Sequence, residues 1–190
     1  MEWLLKAVQY DQVDALLQAG YLYYNGFGVA RDYGKSLELW TRAAEQGHPL
    51  AFNNLGVLYR NGHGVVRNYK TAWDYYHKAL ESNSMYAQKN IGEMYLYGLG
   101  VTRDYRKAID FFRKAAWQAE AEAQYHLGDM YYRGLGVRRD LEQAQEWYRK
   151  AAAQGHEKAT ESLYKMAHPI RSYLMIFKRW MGALLKKPKK

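Results

Sequence analysis

The sequence predicts an all-α fold, a solenoid of helical hairpins that repeat every 36 residues. Three sets of residues in register carry that reading. Gly20, Gly56, Gly92 and Gly128 stand 36 residues apart, as do Tyr23, Tyr59, Tyr95 and Tyr131. A Gly-x-Gly-Val turn keeps step with them at Gly26-Phe27-Gly28-Val29, Gly62-His63-Gly64-Val65, Gly98-Leu99-Gly100-Val101 and Gly134-Leu135-Gly136-Val137. One helical pair cannot bury its apolar face alone, so such units stack into an array with a continuous core.

Each element follows from this register. Residues 1–14 read as the lone second helix (helix B) of a preceding half unit, because Trp3-Leu4-Leu5-Lys6-Ala7 aligns with Leu39-Trp40-Thr41-Arg42-Ala43. Four full units follow, 15–50, 51–86, 87–122 and 123–158. In the third unit, helix A puts Ala87, Ile91, Met94 and Tyr95 on one face at helical spacing. Gly92 lies inside that helix, where Gly costs about 1 kcal/mol relative to Ala; close approach of the paired helix B accounts for it. The first Gly of each turn ends helix A with a positive φ. Asp32, Asn68, Asp104 and Asp140 then fall where helix B needs an N-cap. Gln143, three residues after Asp140, suggests a capping box. Helix B of the fourth unit sends Ala144, Trp147, Tyr148 and Ala151 inward. Residues 159–167 are helix A of a fifth, partial repeat, in which Tyr164 replaces the Gly and no Gly-x-Gly turn follows. Residues 168–190 form an amphipathic basic helix and tail.

Composition narrows the function. The 190 residues are 48% hydrophobic with 3 Pro, enough for a packed core and too few prolines for a linker protein. The absence of Cys removes disulfides, thiolate nucleophiles and cysteine–zinc sites. Of the net charge of +9, residues 1–164 carry +1 and residues 165–190 carry +8. A nearly neutral body argues against a whole-surface nucleic-acid binder. No signal peptide and no apolar run of bilayer length is evident. The Gly-x-Gly turns lack the third Gly of a dinucleotide fingerprint, with Arg31 in its place. The six His are scattered without helical ligand spacing, and Glu120 and Glu122 point to different sides of a helix. Neither a catalytic residue nor a metal or cofactor site is assigned.

The 36-residue period, the Leu/Ile-Gly-x-x-Tyr core, the Gly-x-Gly-Val turn and an Ala-Ala-x-x-Gly ending resemble the Sel-one-like repeat family, related to tetratricopeptide repeats. The fullest match runs from Ala123-Gln124-Tyr125-His126-Leu127-Gly128 to Ala151-Ala152-Ala153-Gln154-Gly155, and the resemblance covers roughly residues 1–167. It implies a right-handed superhelix, a bacterial source and a non-catalytic adaptor that binds proteins on a concave surface lined by the A helices. By analogy with tetratricopeptide repeats, the third, seventh and tenth positions of each unit face that surface. They are Asn53, Val57 and Arg60; Lys89, Glu93 and Leu96; Tyr125, Asp129 and Tyr132; Tyr21 and Tyr24 extend the set. This mixed lining suits a peptide or helix better than a polyanion.

Two readings of the tail stand side by side. In one, Ile170, Tyr173, Leu174, Phe177, Trp180 and neighbouring apolar residues take the missing helix B position and cover Leu163 and Met166. In the other, Lys178, Arg179, Lys186, Lys187, Lys189 and Lys190 contact an anionic membrane or an acidic partner. The expected function is a protein–protein interaction scaffold, acting as a monomer with another protein as partner. The alternatives are an immunity-type or regulatory inhibitor that clamps a cognate enzyme or toxin, and a peripheral membrane organiser recruited by the tail. The expected location is the cytoplasm, with the inner face of the membrane as an option, or the periplasm or exterior if a signal peptide precedes this sequence.

Overall fold

The computed structural model describes residues 7–169, and within them every regular element is α-helical. Residues 7–9 are helical; residues 1–6 of the expected half unit, and the tail after residue 169, lie outside the described residues. Nine helices follow: α1 (Val13–Asn25), α2 (Tyr33–Glu45), α3 (Pro49–Asn61), α4 (Tyr69–Leu80), α5 (Met85–Tyr97), α6 (Tyr105–Trp117), α7 (Ala121–Arg133), α8 (Leu141–Ala153) and α9 (Glu157–Ala167). They fall into two compact units. The first ends at Glu120 and holds the hairpins α1/α2, α3/α4 and α5/α6; the second begins at Ala121 and holds α7/α8 and α9. Each A helix begins two residues before the Ala that marks the start of its unit in the sequence.

The helix-interior glycines are notches for an aromatic ring. A Cβ on Gly20 would stand 2.3 Å from the Trp40 indole nitrogen, and one on Gly56 2.5 Å from the Tyr76 ring. Phe112 fills the same place against Gly92, and Tyr148 against Gly128. The four rings solve their polar chemistry differently. Trp40 Nε1 donates to the Leu17 carbonyl at 3.2 Å, Phe112 has nothing to satisfy, and the Tyr76 hydroxyl is buried with no hydrogen-bond partner. Burial pushes the Tyr76 and Tyr148 phenols well above the ordinary tyrosine range.

The turn between A and B helices is the most constant feature. Its first Gly is left-handed each time, with φ of 70–76°, and Gly26, Gly62 and Gly98 return their N–H to the carbonyl four residues back, Gly26 to Leu22 at 2.8 Å. The cap residue then works at both ends. Its side chain accepts from the first turn of helix B, as Asp104 does from Arg106 N and Lys107 N. Its own N–H donates back to the carbonyl of the repeat-column Tyr of helix A: Asp32 to Tyr23, Asn68 to Tyr59, Asp104 to Tyr95 and Asp140 to Tyr131, at 2.9–3.0 Å. This closing bond corrects the capping-box expectation, because the Asp140 N–H that Gln143 would have accepted from is already given to Tyr131.

In the first unit the core runs through Leu16, Leu39, Trp40, Leu55 and Leu58 to Tyr76, Ile91 and Met94. In the second, Ala144, Tyr148, Ala151 and Ala159 form a cluster with Leu163 and Met166 partly buried against them, and Leu127 and Met130 are buried as well. Trp147 is half-buried rather than inside, with the Lys150 ammonium 4.3 Å from its ring centroid. Among the described residues no helix is long and apolar enough to cross a membrane.

Candidate functional site

The A helices of the first unit, α1, α3 and α5, carry an apolar groove of about 570 Å³, lined by Leu17, Gln18, Tyr21, Leu22, Leu50, Asn53, Asn54 and Tyr86. Tyr21 is 54% and Tyr86 42% exposed, so two large rings stand in water beside the aliphatic floor. Of the residues expected on this face, Tyr21 and Asn53 meet here, although Asn53, like Leu96 below, is buried and offers a partner little surface. Leu17, Leu50 and Tyr86 were not among them. Leu50 and Tyr86 share a repeat column in the first turn of an A helix, an apolar choice at a position that ordinarily faces solvent, and that was the available signal.

Next to the groove lies a polar network on α3 and α5. The Asn53 Oδ1 accepts from Asn90 Nδ2 at 2.8 Å. The Asn90 Oδ1 accepts from Lys89 Nζ at 3.0 Å and from Arg60 Nη1 at 3.3 Å. Arg60 pairs with Glu93 across the two helices, and Lys89 stands 3.6 Å from the same carboxylate. Burial draws the Arg60 guanidinium downward, but Tyr76 and Glu93 outweigh it and hold Arg60 above its ordinary value. Opposite charges so placed fix each other's side chains more than they stabilise the fold.

The remaining expected residues of this unit turn inward. Leu96 is buried and Val57 packs partly buried against the core, so both present little surface to a partner. Tyr24 packs against Tyr33 and Trp40 of its own hairpin and reaches the turn of the next one, its hydroxyl 3.0 Å from His63 Nδ1.

In the second unit, Tyr125, Asp129 and Tyr132 do share one face, as expected. They line a cavity of about 200 Å³ with Arg133, Tyr148, Ser162, Lys165 and Met166. Asp129 accepts from Arg133 Nε at 2.9 Å. Burial raises the Tyr125 phenol, helped by the Asp129 carboxylate. On the other side of Tyr125 the His156 ring stacks at 4.7 Å. His156 and its equivalent His48 are helix N-caps: their Nδ1 atoms accept from Ala159 N and Leu50 N, each at 3.2 Å. The His156 Nε2 faces the Glu122 carboxylate at 3.6 Å. The tail cations Lys178, Arg179, Lys186, Lys187, Lys189 and Lys190 lie outside the described residues.

Comparison with known proteins agrees with this architecture. The Sel1 repeat profile matches residues 13–48, 49–84, 86–117 and 121–156. No curated protein matches the chain significantly. Among solved structures, the protective antigen c5321 of uropathogenic Escherichia coli, with an SLR fold, is 38% identical over 88% of this chain and 36% of that one, with a TM-score of 0.74. A Sel1 repeat protein from Oxalobacter formigenes is 31% identical over 87% of this chain and 66% of that one, with a TM-score of 0.79. The immunity protein Pa5087 of Pseudomonas aeruginosa is 27% identical over 83% of this chain and 58% of that one, with a TM-score of 0.63. The chain spans less than two thirds of each of these three proteins. With four matched repeats, each a glycine-notched helical hairpin, the chain belongs to the Sel1 repeat family.

Proposed function

We propose that this chain is a non-catalytic adaptor that holds a helix or an extended segment of a partner protein on the A-helix face of its first unit. Sel1 repeat proteins generally mediate protein–protein interaction. The observation that carries the reading here is the groove of α1, α3 and α5, whose aliphatic floor and two exposed tyrosines have the makings of a hot spot. The neighbouring Asn53–Asn90–Arg60–Glu93 network supplies rigid polar groups at its edge, suited to fixing register.

Capture of partners by the wild-type chain and by a Tyr21→Ser/Tyr86→Ser variant tests this. Both rings are exposed, so the variant keeps its helical spectrum and melting temperature while losing the captured protein. An unchanged set of captured proteins would refute the groove. A second reading, an immunity-type inhibitor, is favoured by the likeness to Pa5087, described as an immunity protein. It requires that the captured partner be an enzyme or toxin whose activity falls on addition of this chain; a partner fully active in the complex leaves the adaptor.

A further inference from the structure

We infer that the hairpin-turn edge of the first unit is a second interaction surface, which binds a short acidic segment of a protein. Whole-chain arithmetic hides it. In residues 7–120 the three junctions between turn and B helix, 31–35, 67–71 and 103–107, hold seven cations and two acids, whereas the rest of the unit holds six cations and nine acids. Charge is thus sorted by repeat phase.

Five of the seven sorted cations are also held in place. Arg31, Arg67 and Arg103 occupy one repeat position, and each guanidinium lies over the Tyr that opens the following helix: Tyr33 at 5.6 Å, Tyr69 at 5.5 Å and Tyr105 at 5.3 Å. A second row is built likewise, with Lys35 over Tyr23 at 4.9 Å and Lys107 over Tyr95 at 5.3 Å. Stacking on a ring fixes a long side chain that would otherwise lose rotamer entropy on binding. All these cations are exposed. The three arginines form no ion pair among the described residues; Asp32 and Asp104 are engaged by helix N-termini, and only Lys107 approaches one of them, at 3.9 Å. Apolar groups are interleaved: Val66, 88% exposed, precedes Arg67, and Phe27 is 55% exposed in the first turn. Arg67 also lines a cleft of about 590 Å³ with Arg60, His63, Glu93 and Tyr97.

The size of the ridge selects its occupant. Packed helices lie roughly 8–10 Å apart, so three junctions span on the order of 20 Å. That is the length of about six extended residues or about thirteen helical ones. A long polyanion or a lipid surface would run beyond the ridge onto the acid-rich remainder of the unit, whereas a short peptide of alternating acidic and apolar residues would not.

The test uses the full chain and a fluorescein-labelled six-residue peptide of three Glu-Leu units, followed by anisotropy at low salt. Arg31→Gln/Arg67→Gln/Arg103→Gln should weaken binding at least tenfold with an unchanged melting temperature. The tail variant Lys187→Gln/Lys189→Gln/Lys190→Gln removes the same charge and should change binding less than threefold. Should the first variant be poorly folded, Lys35→Gln/Lys70→Gln/Arg106→Gln replaces it, with the same expected loss. Equal or greater loss in the tail variant, or full binding by the folded ridge variants, overturns the proposal. So does tighter binding of a twelve-residue oligothymidylate, or of phosphatidylglycerol vesicles, than of the peptide.

Discussion

Gly92→Ala is a sharp test of the notch between helices, because two known effects oppose each other there. In an exposed helix interior the change should stabilise by about 1 kcal/mol. At Gly92 the new methyl would lie 2.7 Å from Cε1 and 2.8 Å from Cδ1 of Phe112. Carbon atoms prefer about 3.5–4.0 Å, so ring and helix must separate by roughly 1 Å. Phe112 is fully buried and cannot withdraw into solvent. Overpacking of this kind costs about 1–3 kcal/mol, and with both ring atoms in the way the upper part of that range applies. The net expectation is a loss of about 1–2 kcal/mol, read as a fall in the urea midpoint of roughly 0.5–1 M by far-ultraviolet circular dichroism. Phe112→Leu in the Gly92→Ala background should cost less than it does alone, by at least about 0.5 kcal/mol in a double-mutant cycle. A Gly92→Ala chain with a higher midpoint than wild type would show that propensity governs the position and would refute the notch.

Three further outcomes are expected. Above about pH 10 the unfolded chain releases phenolic protons that Tyr76 and Tyr148 keep in the fold, so the native state binds more protons and stability falls as pH rises, by about 1.4 kcal/mol per pH unit for each tyrosine. Urea midpoints from about pH 9 to about pH 11 measure the slope, and Tyr76→Phe should remove its share of it. Asn68→Ala deletes the acceptor for Thr71 N and should cost about 1 kcal/mol in the same unfolding assay. Ala119 holds a left-handed φ of 64°, where the equivalent residues are Gly47, Asn83 and Gly155. Relief of about 1–2 kcal/mol of strain in Ala119→Gly, less about 0.4–1 kcal/mol of added unfolded-state freedom, should raise the midpoint slightly.

The hairpins were legible because each of their costs is local. A Gly inside a helix is unfavourable on its own terms, so four in register announce a neighbour, and Asp or Asn before a helix announces a cap. The site was less legible because it depends on which residues of different hairpins meet. Arg60 and Glu93 were expected as two separate surface positions, yet they pair across α3 and α5 and hold each other down. Leu96 obeyed the positional rule borrowed from a related repeat and is nevertheless buried. His48 and His156, in equivalent inter-repeat loops, were not expected as caps because histidine is outside the usual capping set, although its Nδ1 accepts as a carboxylate does. The tyrosine columns were right as core in part, but their outer edges also serve as seats for lysine, as Tyr23 and Tyr95 do.

The bond from each cap N–H to the tyrosine carbonyl nine residues earlier has an engineering consequence. It ties the start of every B helix to the end of its own A helix, so the loop between them has a fixed length and an added residue would break the tie. The connection from a B helix to the next A helix carries no such tie to the tyrosine column and already tolerates Gly, Asn and Ala at its left-handed residue. Cuts for shuffling, duplication or insertion therefore belong after residues 47, 83 and 155. A chimaera spliced there would inherit whole, pre-tied hairpins, while one spliced inside a Gly-x-Gly turn would have to rebuild the joint from two halves that never evolved together.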